Sequence, residues 1–184
     1  MLSATCFMLP AQKMRRDAAI FCLGAWIMGS VFMGVVATQN FYTIDRLLES
    51  VPNETFGQVV DSVGVARSRE FMRYLSSELN RLFFLAWGLA QVGIGGTLLW
   101  LVYPLGTTRR IRFGALTMLL LVVVLTFGLT PGIMSVGRSL DFVPRDPSPP
   151  SLATFGMLHA AYTVLDIVKL GVGGFLVFWL HREK

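Results

Sequence analysis

Four apolar blocks alternate with polar stretches along the chain, at residues 18–38, 82–103, 113–130 and 152–180. Each has at least the roughly 17–20 residues that an α-helix needs to cross a bilayer, so each predicts a membrane span. The first, "AAIFCLGAWIMGSVFMGVVAT", has a secretory signal as its rival reading, with "VVA" before Thr38 as a loose cleavage pattern. Its apolar run exceeds the roughly 7–15 residues of a signal core, which favours a retained helix. Segment 41–79 differs from the four blocks, because charged and apolar residues interleave there at helical spacing. Pro52 interrupts it, and Asn53 is placed to cap a short helix through Thr55, Phe56, Val59 and Val60. A second amphipathic helix starts near Ala66, with Glu70–Arg73 and Glu78–Arg81 as i,i+3 pairs, and lies at the membrane surface or projects span two out of it.

Pro104 ends the second span, Pro131-Gly132 is expected to kink or end the third, and "VPRDPSPPS" reads as a stiff linker. Ser151 suits the N-cap of span four. The expected fold class is an all-α membrane protein. It is a single domain, 1–184, forming a four-transmembrane-helix bundle with amphipathic helices between spans one and two.

Composition agrees with this pattern. Of 184 residues, 54% are hydrophobic and 15% charged, against about 25% charged in soluble domains. The net charge of +5 does not point to nucleic acid, since no DNA- or RNA-binding motif is present and basic residues flank the spans. Lys13, Arg15 and Arg16 precede span one, Arg109, Arg110 and Arg112 follow span two, and Arg182 and Lys184 follow span four. With four spans these flanks share one side, which the positive-inside rule makes cytoplasmic. Five arginines in segment 39–81 occupy the other side. The expected location is therefore a multi-pass membrane protein with both termini cytoplasmic, in a bacterial inner membrane. Met14 competes with Met1 as the start. Cys6 and Cys22 form no metal or disulfide motif.

Candidate chemistry sits in span four. At 100° per residue, His159, Tyr162, Thr163, Asp166 and Lys169 share one face about a third of the circumference wide. Ionised groups at mid-span cost about 2.5–3.5 kcal/mol each, so the stripe must face the bundle interior, a cavity or a partner. One reading is a proton or ion relay, or a ligand cleft, built on Asp166 and Lys169. The other is a self-neutralising i,i+3 pair tying span four to its neighbours, with Gln91 in mid-span two as partner. His159 is conceivable as a haem or metal ligand, but a lone intramembrane His more often serves as a hydrogen-bonding residue. No cofactor is predicted.

Small residues recur on helix faces: Ser30, Gly34 and Thr38 in span one, Gly88 and Gly95 with Gln91 in span two, and Gly156 with Ala160 in span four. Such rows predict close helix packing. Trp87, Trp100 and Trp179 read as helix-end anchors, and Trp26 as packing. There is no P-loop, HExxH, GxSxG, CxxC or Rossmann fingerprint. Catalytic residues are therefore not assigned, and an enzyme is the least favoured class.

The chain also carries "WIMGSVF", "ETFGQVVDSV", "TPGIMSVGR" and "FGMLHAAYTVLD" in that order. These resemble the transmembrane-protein-205-like family of small four-span membrane proteins, over about 130 residues. The resemblance matches Trp26 and Gly29, Thr55-Phe56-Gly57, Pro131 with Arg138, and His159. The family's small hydroxyl residue falls on Tyr162 or Thr163, and its Asn on Asp166, so a carboxylate replaces an amide. What the resemblance implies is four spans and a membrane location, with no established activity. A fainter likeness to copper-resistance domains and haem-pathway oxidases lacks their His near the start of span one, where Asp17-Ala18-Ala19 stands.

Two functions remain. The favoured one is an accessory or scaffold protein packing against a membrane-protein partner, or a homo-oligomer, within the lipid bilayer. The alternative is transport or relay of a small solute, metal ion or proton through the span-four stripe.

Overall fold

A computed structural model of the chain describes residues 10–105, 109–144 and 146–182. The start at Met1, Cys6, the middle of the basic loop, Arg145 and the terminal Glu183-Lys184 lie outside them. The described residues form helices and short connections, without strand. Helix α1 spans Pro10–Ser50, α2 Glu54–Val63, α3 Val65–Val102, α4 Arg109–Val123, α5 Thr130–Arg138 and α6 Pro150–Arg182. A π-helical segment, Val124–Leu129, joins α4 to α5 in one continuous rod. Four rods are thus long and apolar enough to cross a membrane, and the protein is a multi-pass all-α membrane bundle.

The rods neighbour one another in the order α1, α3, α4–α5, α6, and α6 returns against α1 to close a ring. Leu23, Trp26, Leu98, Met118, Val122 and Leu176 fill its middle. Along α3 the buried positions Gly88, Gln91, Gly95, Leu98 and Val102 alternate in steps of three and four. That is the seam of an antiparallel bundle, where each inward side chain fits between neighbours on the facing helix.

The amphipathic helix expected from Ala66 and the second span form one helix, because neither proline nor glycine separates them. Likewise α1 continues past Thr38 to Ser50 and ends before Pro52, whose ring disfavours helical backbone at Val51. At 41 residues, α1 is about 60 Å long, roughly twice the hydrocarbon thickness. The parts of α1 and α3 beyond the apolar blocks stay paired: Asn40 Nδ2 donates to Asn80 Oδ1 at 2.6 Å, and Asn80 Nδ2 donates to the Ala37 carbonyl at 3.1 Å. Helix α2 folds beside them, capped as expected, with the Phe56 amide donating to Asn53 Oδ1 at 3.1 Å.

Pro131 does not end the third span, which continues as helix to Arg138. A proline inside an α-helix lacks its amide donor and crowds the carbonyl four residues back. The π turn immediately before it relieves both conflicts by widening the ladder. The Thr130 amide and hydroxyl both reach the Leu125 carbonyl, the hydroxyl at 2.8 Å. Ser151, expected as an N-cap, is instead the second helical residue of α6, because Pro150 takes the first position, where a missing amide donor costs nothing.

Candidate functional site

The seams of three rods each place a polar residue at one level. Ser30 comes from α1, Gln91 from α3 and Lys169 from α6, with Trp26 one turn from Ser30. Lys169 is 0% exposed. Its ammonium donates to Ser30 Oγ at 3.1 Å, to Gln91 Oε1 and to Asp166 Oδ1. An ammonium has three protons and no acceptor, so three oxygens use its full capacity. Trp26 Nε1 donates to the same Gln91 Oε1 at 2.8 Å. The Ser30 hydroxyl donates to it too, at 3.4 Å, and three donors aimed at one amide oxygen leave only one sensible orientation for Gln91, with its oxygen inward.

Charge and burial are divided unequally in this cluster. The Asp166 side chain is 23% exposed, at the outer edge, while Lys169 is enclosed. Three helices therefore meet on one cation, and its counter-charge comes from one turn earlier on the cation's own helix. Such a pair adds little net stability against an apolar replacement, but either partner alone is costly in a low-dielectric interior.

The expected stripe divides accordingly. Asp166, Lys169 and Gln91 come together. Tyr162 is half-buried and meets Phe84 of α3 edge-on, ring centres 5.7 Å apart, without joining the hydrogen bonds. His159 and Thr163 stand outside, both exposed. His159 stacks on Phe155 with centroids 5.9 Å apart, and Thr163 Oγ1 donates to the His159 carbonyl at 2.9 Å. The reason is angular: the buried face of α6 runs through Tyr162, Lys169, Gly173, Leu176 and Leu180, and His159 and Thr163 lie progressively off its centre. Among the described residues no group of three or more His, Cys, Asp or Glu side chains is placed to hold a metal ion.

Ser30 and Trp26 are the members that the polar-stripe reasoning missed. Both read from the sequence as packing residues, although an indole N–H and a hydroxyl four residues apart on one buried face are a readable hint of a shared acceptor. The packing rows also divide. A Cβ at Gly88 would lie 2.7 Å from Thr126 Oγ1, and one at Gly95 2.8 Å from Leu119 Cδ1, so both glycines permit close approach. At Gly34 and Gly156 a Cβ would meet nothing, and Thr38 is exposed. A row spaced by four drifts 40° per step, so Gly34 and Thr38 rotate away from the seam that Ser30 occupies. Trp87, expected near a helix end, packs over Gly29 inside the bundle.

Two further polar features lie at the ends of the bundle. At the end holding the α5–α6 connection, Arg81 makes a two-pronged contact with Asp141, 2.9 Å on each side, and also binds Glu78. Arg138 Nε lies 3.5 Å from the same Glu78. The Glu78 carboxyl, just outside the apolar block that starts at Leu82, is held below its usual range chiefly by its hydrogen bond from Arg81. At the opposite end arginines cover aromatic rings: Arg15 over Trp100, Arg112 over Tyr103, Arg110 over Trp179 and Arg182 over Phe178.

No family model, no curated protein and no solved structure matches the chain.

Proposed function

We propose that the protein is an accessory or scaffold component of a membrane assembly. One observation carries the reading: all three ammonium protons of Lys169 are taken by oxygens of the chain itself, from α1, α3 and α6. A cation so satisfied works as a tie between helices, and the seam on its side toward the basic flanks is apolar packing. The tie sets the relative rotation of three rods and so the faces they turn outward. Both termini lie in the cytoplasm in this reading, since the basic flanks of all the spans gather at one end, and the membrane is a bacterial inner membrane. The likeness to the transmembrane-protein-205-like family adds four spans and assigns no chemistry.

Transport or relay is the second reading, favoured by the partial exposure of Asp166 beside exposed His159 and Thr163. Gentle extraction followed by native sizing and mass spectrometry of the band separates the two. Co-migration with fixed partners supports the accessory role. A small, partner-free species whose ion or solute flux is abolished by Asp166→Asn overturns it in favour of transport.

A further inference from the structure

The end of α3 carries two aromatic rings one turn apart, Trp100 and Tyr103, both largely exposed. Tryptophan and tyrosine at a span's end mark the depth of lipid headgroups. An arginine from each neighbouring rod covers one of them: Arg15 of α1 lies 5.1 Å from the Trp100 ring centre, and Arg112 of α4 lies 5.1 Å from that of Tyr103. A shallow cleft of about 480 Å³ opens here, lined by Arg15, Leu99, Trp100, Tyr103 and Pro104.

Neither guanidinium has a carboxylate partner among the described residues. The sequence supplies only Asp17 and Glu183 at this end, and Asp17 lies 3.7 Å from Arg16. Arg112 Nε is enclosed and has no hydrogen-bond acceptor among the described residues, so the phosphate donors of Arg112 are its terminal N–H groups alone. A guanidinium stacked on a ring keeps its in-plane N–H fork for an anion, and the fork matches the oxygens of a phosphate. Apolar Leu99 and Pro104 beside the rings offer a surface for an acyl chain. The opposite end of the bundle contrasts with this, because its buried Arg81 is matched by Asp141 and Glu78.

We propose that the end of α3 binds the headgroup of an anionic phospholipid, with Arg15 in the cleft as its phosphate ligand and Arg112, stacked on Tyr103 beside the cleft, as a second. The reading is independent of the accessory role, since it depends only on the membrane location and this cleft.

Native mass spectrometry of the full chain in detergent, titrated in parallel with phosphatidylglycerol and phosphatidylcholine, tests it. The expected result is about ten-fold preferential retention of phosphatidylglycerol. Arg15→Gln with Arg112→Gln should bring the two lipids to parity. Arg109→Gln with Arg182→Gln, which removes the same charge from the same end, should leave most of the preference. Equal loss in both double variants would mean a diffuse basic surface and overturns the site, as does parity in the unmodified protein. If the glutamine pair cannot be extracted folded, Arg15→Lys with Arg112→Lys replaces it. That pair keeps the charge but loses the fork, so preference should fall about three-fold, and unchanged preference overturns the clamp. Inorganic phosphate added to the lipid-loaded protein should not displace phosphatidylglycerol. Displacement overturns the lipid assignment and gives the cleft to a free phosphate.

Discussion

Lys169 is the residue on which the bundle's interior depends, and its surroundings make the consequences of substitution unequal. Replacing Asp166 with leucine removes the counter-charge from a fully enclosed cation, with an expected loss of about 3–5 kcal/mol. Asp166→Asn keeps an oxygen within reach and should cost markedly less. Lys169→Met strands an aspartate that is already partly exposed and should fall between the two. The double change Asp166→Leu with Lys169→Met should recover much of the loss, since it leaves no unpaired charge behind. Thermal unfolding in one detergent, read for all four variants, checks the ranking, and additive losses in the double variant would contradict it. Periodicity made Asp166, Lys169 and Gln91 legible, because ionisable groups at mid-span have few tolerable directions. Trp26 and Ser30 escaped, since their polar atoms are small parts of side chains that also pack well, and one sequence does not say which role prevails.

At the scale of elements, the four spans were plain from their length and apolarity. Their true extents were less so, because helices stop at backbone obstacles and hydropathy falls earlier. Thus α1 and α3 run on as amphipathic rods until Pro52 and Gly64 intervene. The π turn before Pro131 was not legible either, since whether a proline breaks, kinks or is absorbed depends on what the neighbouring rods hold in place. Small residues gave a similar half-answer: they mark where helices are able to approach, and the seam decides where they do. This yields a contrast. Gly88→Ala drives a methyl into Thr126 across the contact between α3 and the π-helical segment and should destabilise by about 1–3 kcal/mol. Gly34→Ala and Gly156→Ala, where a methyl meets nothing, should be neutral or stabilise by up to about 1 kcal/mol through helix propensity. Melting temperatures of the three single variants decide it, and a destabilised Gly34→Ala would mean that α1 is covered there.

Across the whole molecule the two ends are held differently. Arginines stacked on aromatic rings gather at one, while matched ion pairs at the other pin α3 to the α5–α6 connection. The side chains of Arg81 and Asp141 are 9% and 16% exposed, so their two-pronged contact should be strong. Arg81→Met is expected to cost about 1.5–3 kcal/mol. It should also raise amide exchange over residues 139–144 more than over the Lys169 layer. Exchange raised equally at both places would show that the ends are not independent. Glu78 adds a pH dependence whose sign follows from its lowered folded-state pKa. Its contribution is fully present above the ordinary carboxylate value of 4.5 and is lost as pH falls below that value through the lower folded one. Comparison with Glu78→Gln isolates the effect, because every other titrating group is shared. The melting-temperature difference between the two proteins should be constant from neutral pH down to about 4.5 and shrink below it. A difference that persists unchanged at lower pH would mean that Glu78 acts there through packing or neutral hydrogen bonds, and that Arg81 owes its place to Asp141 alone.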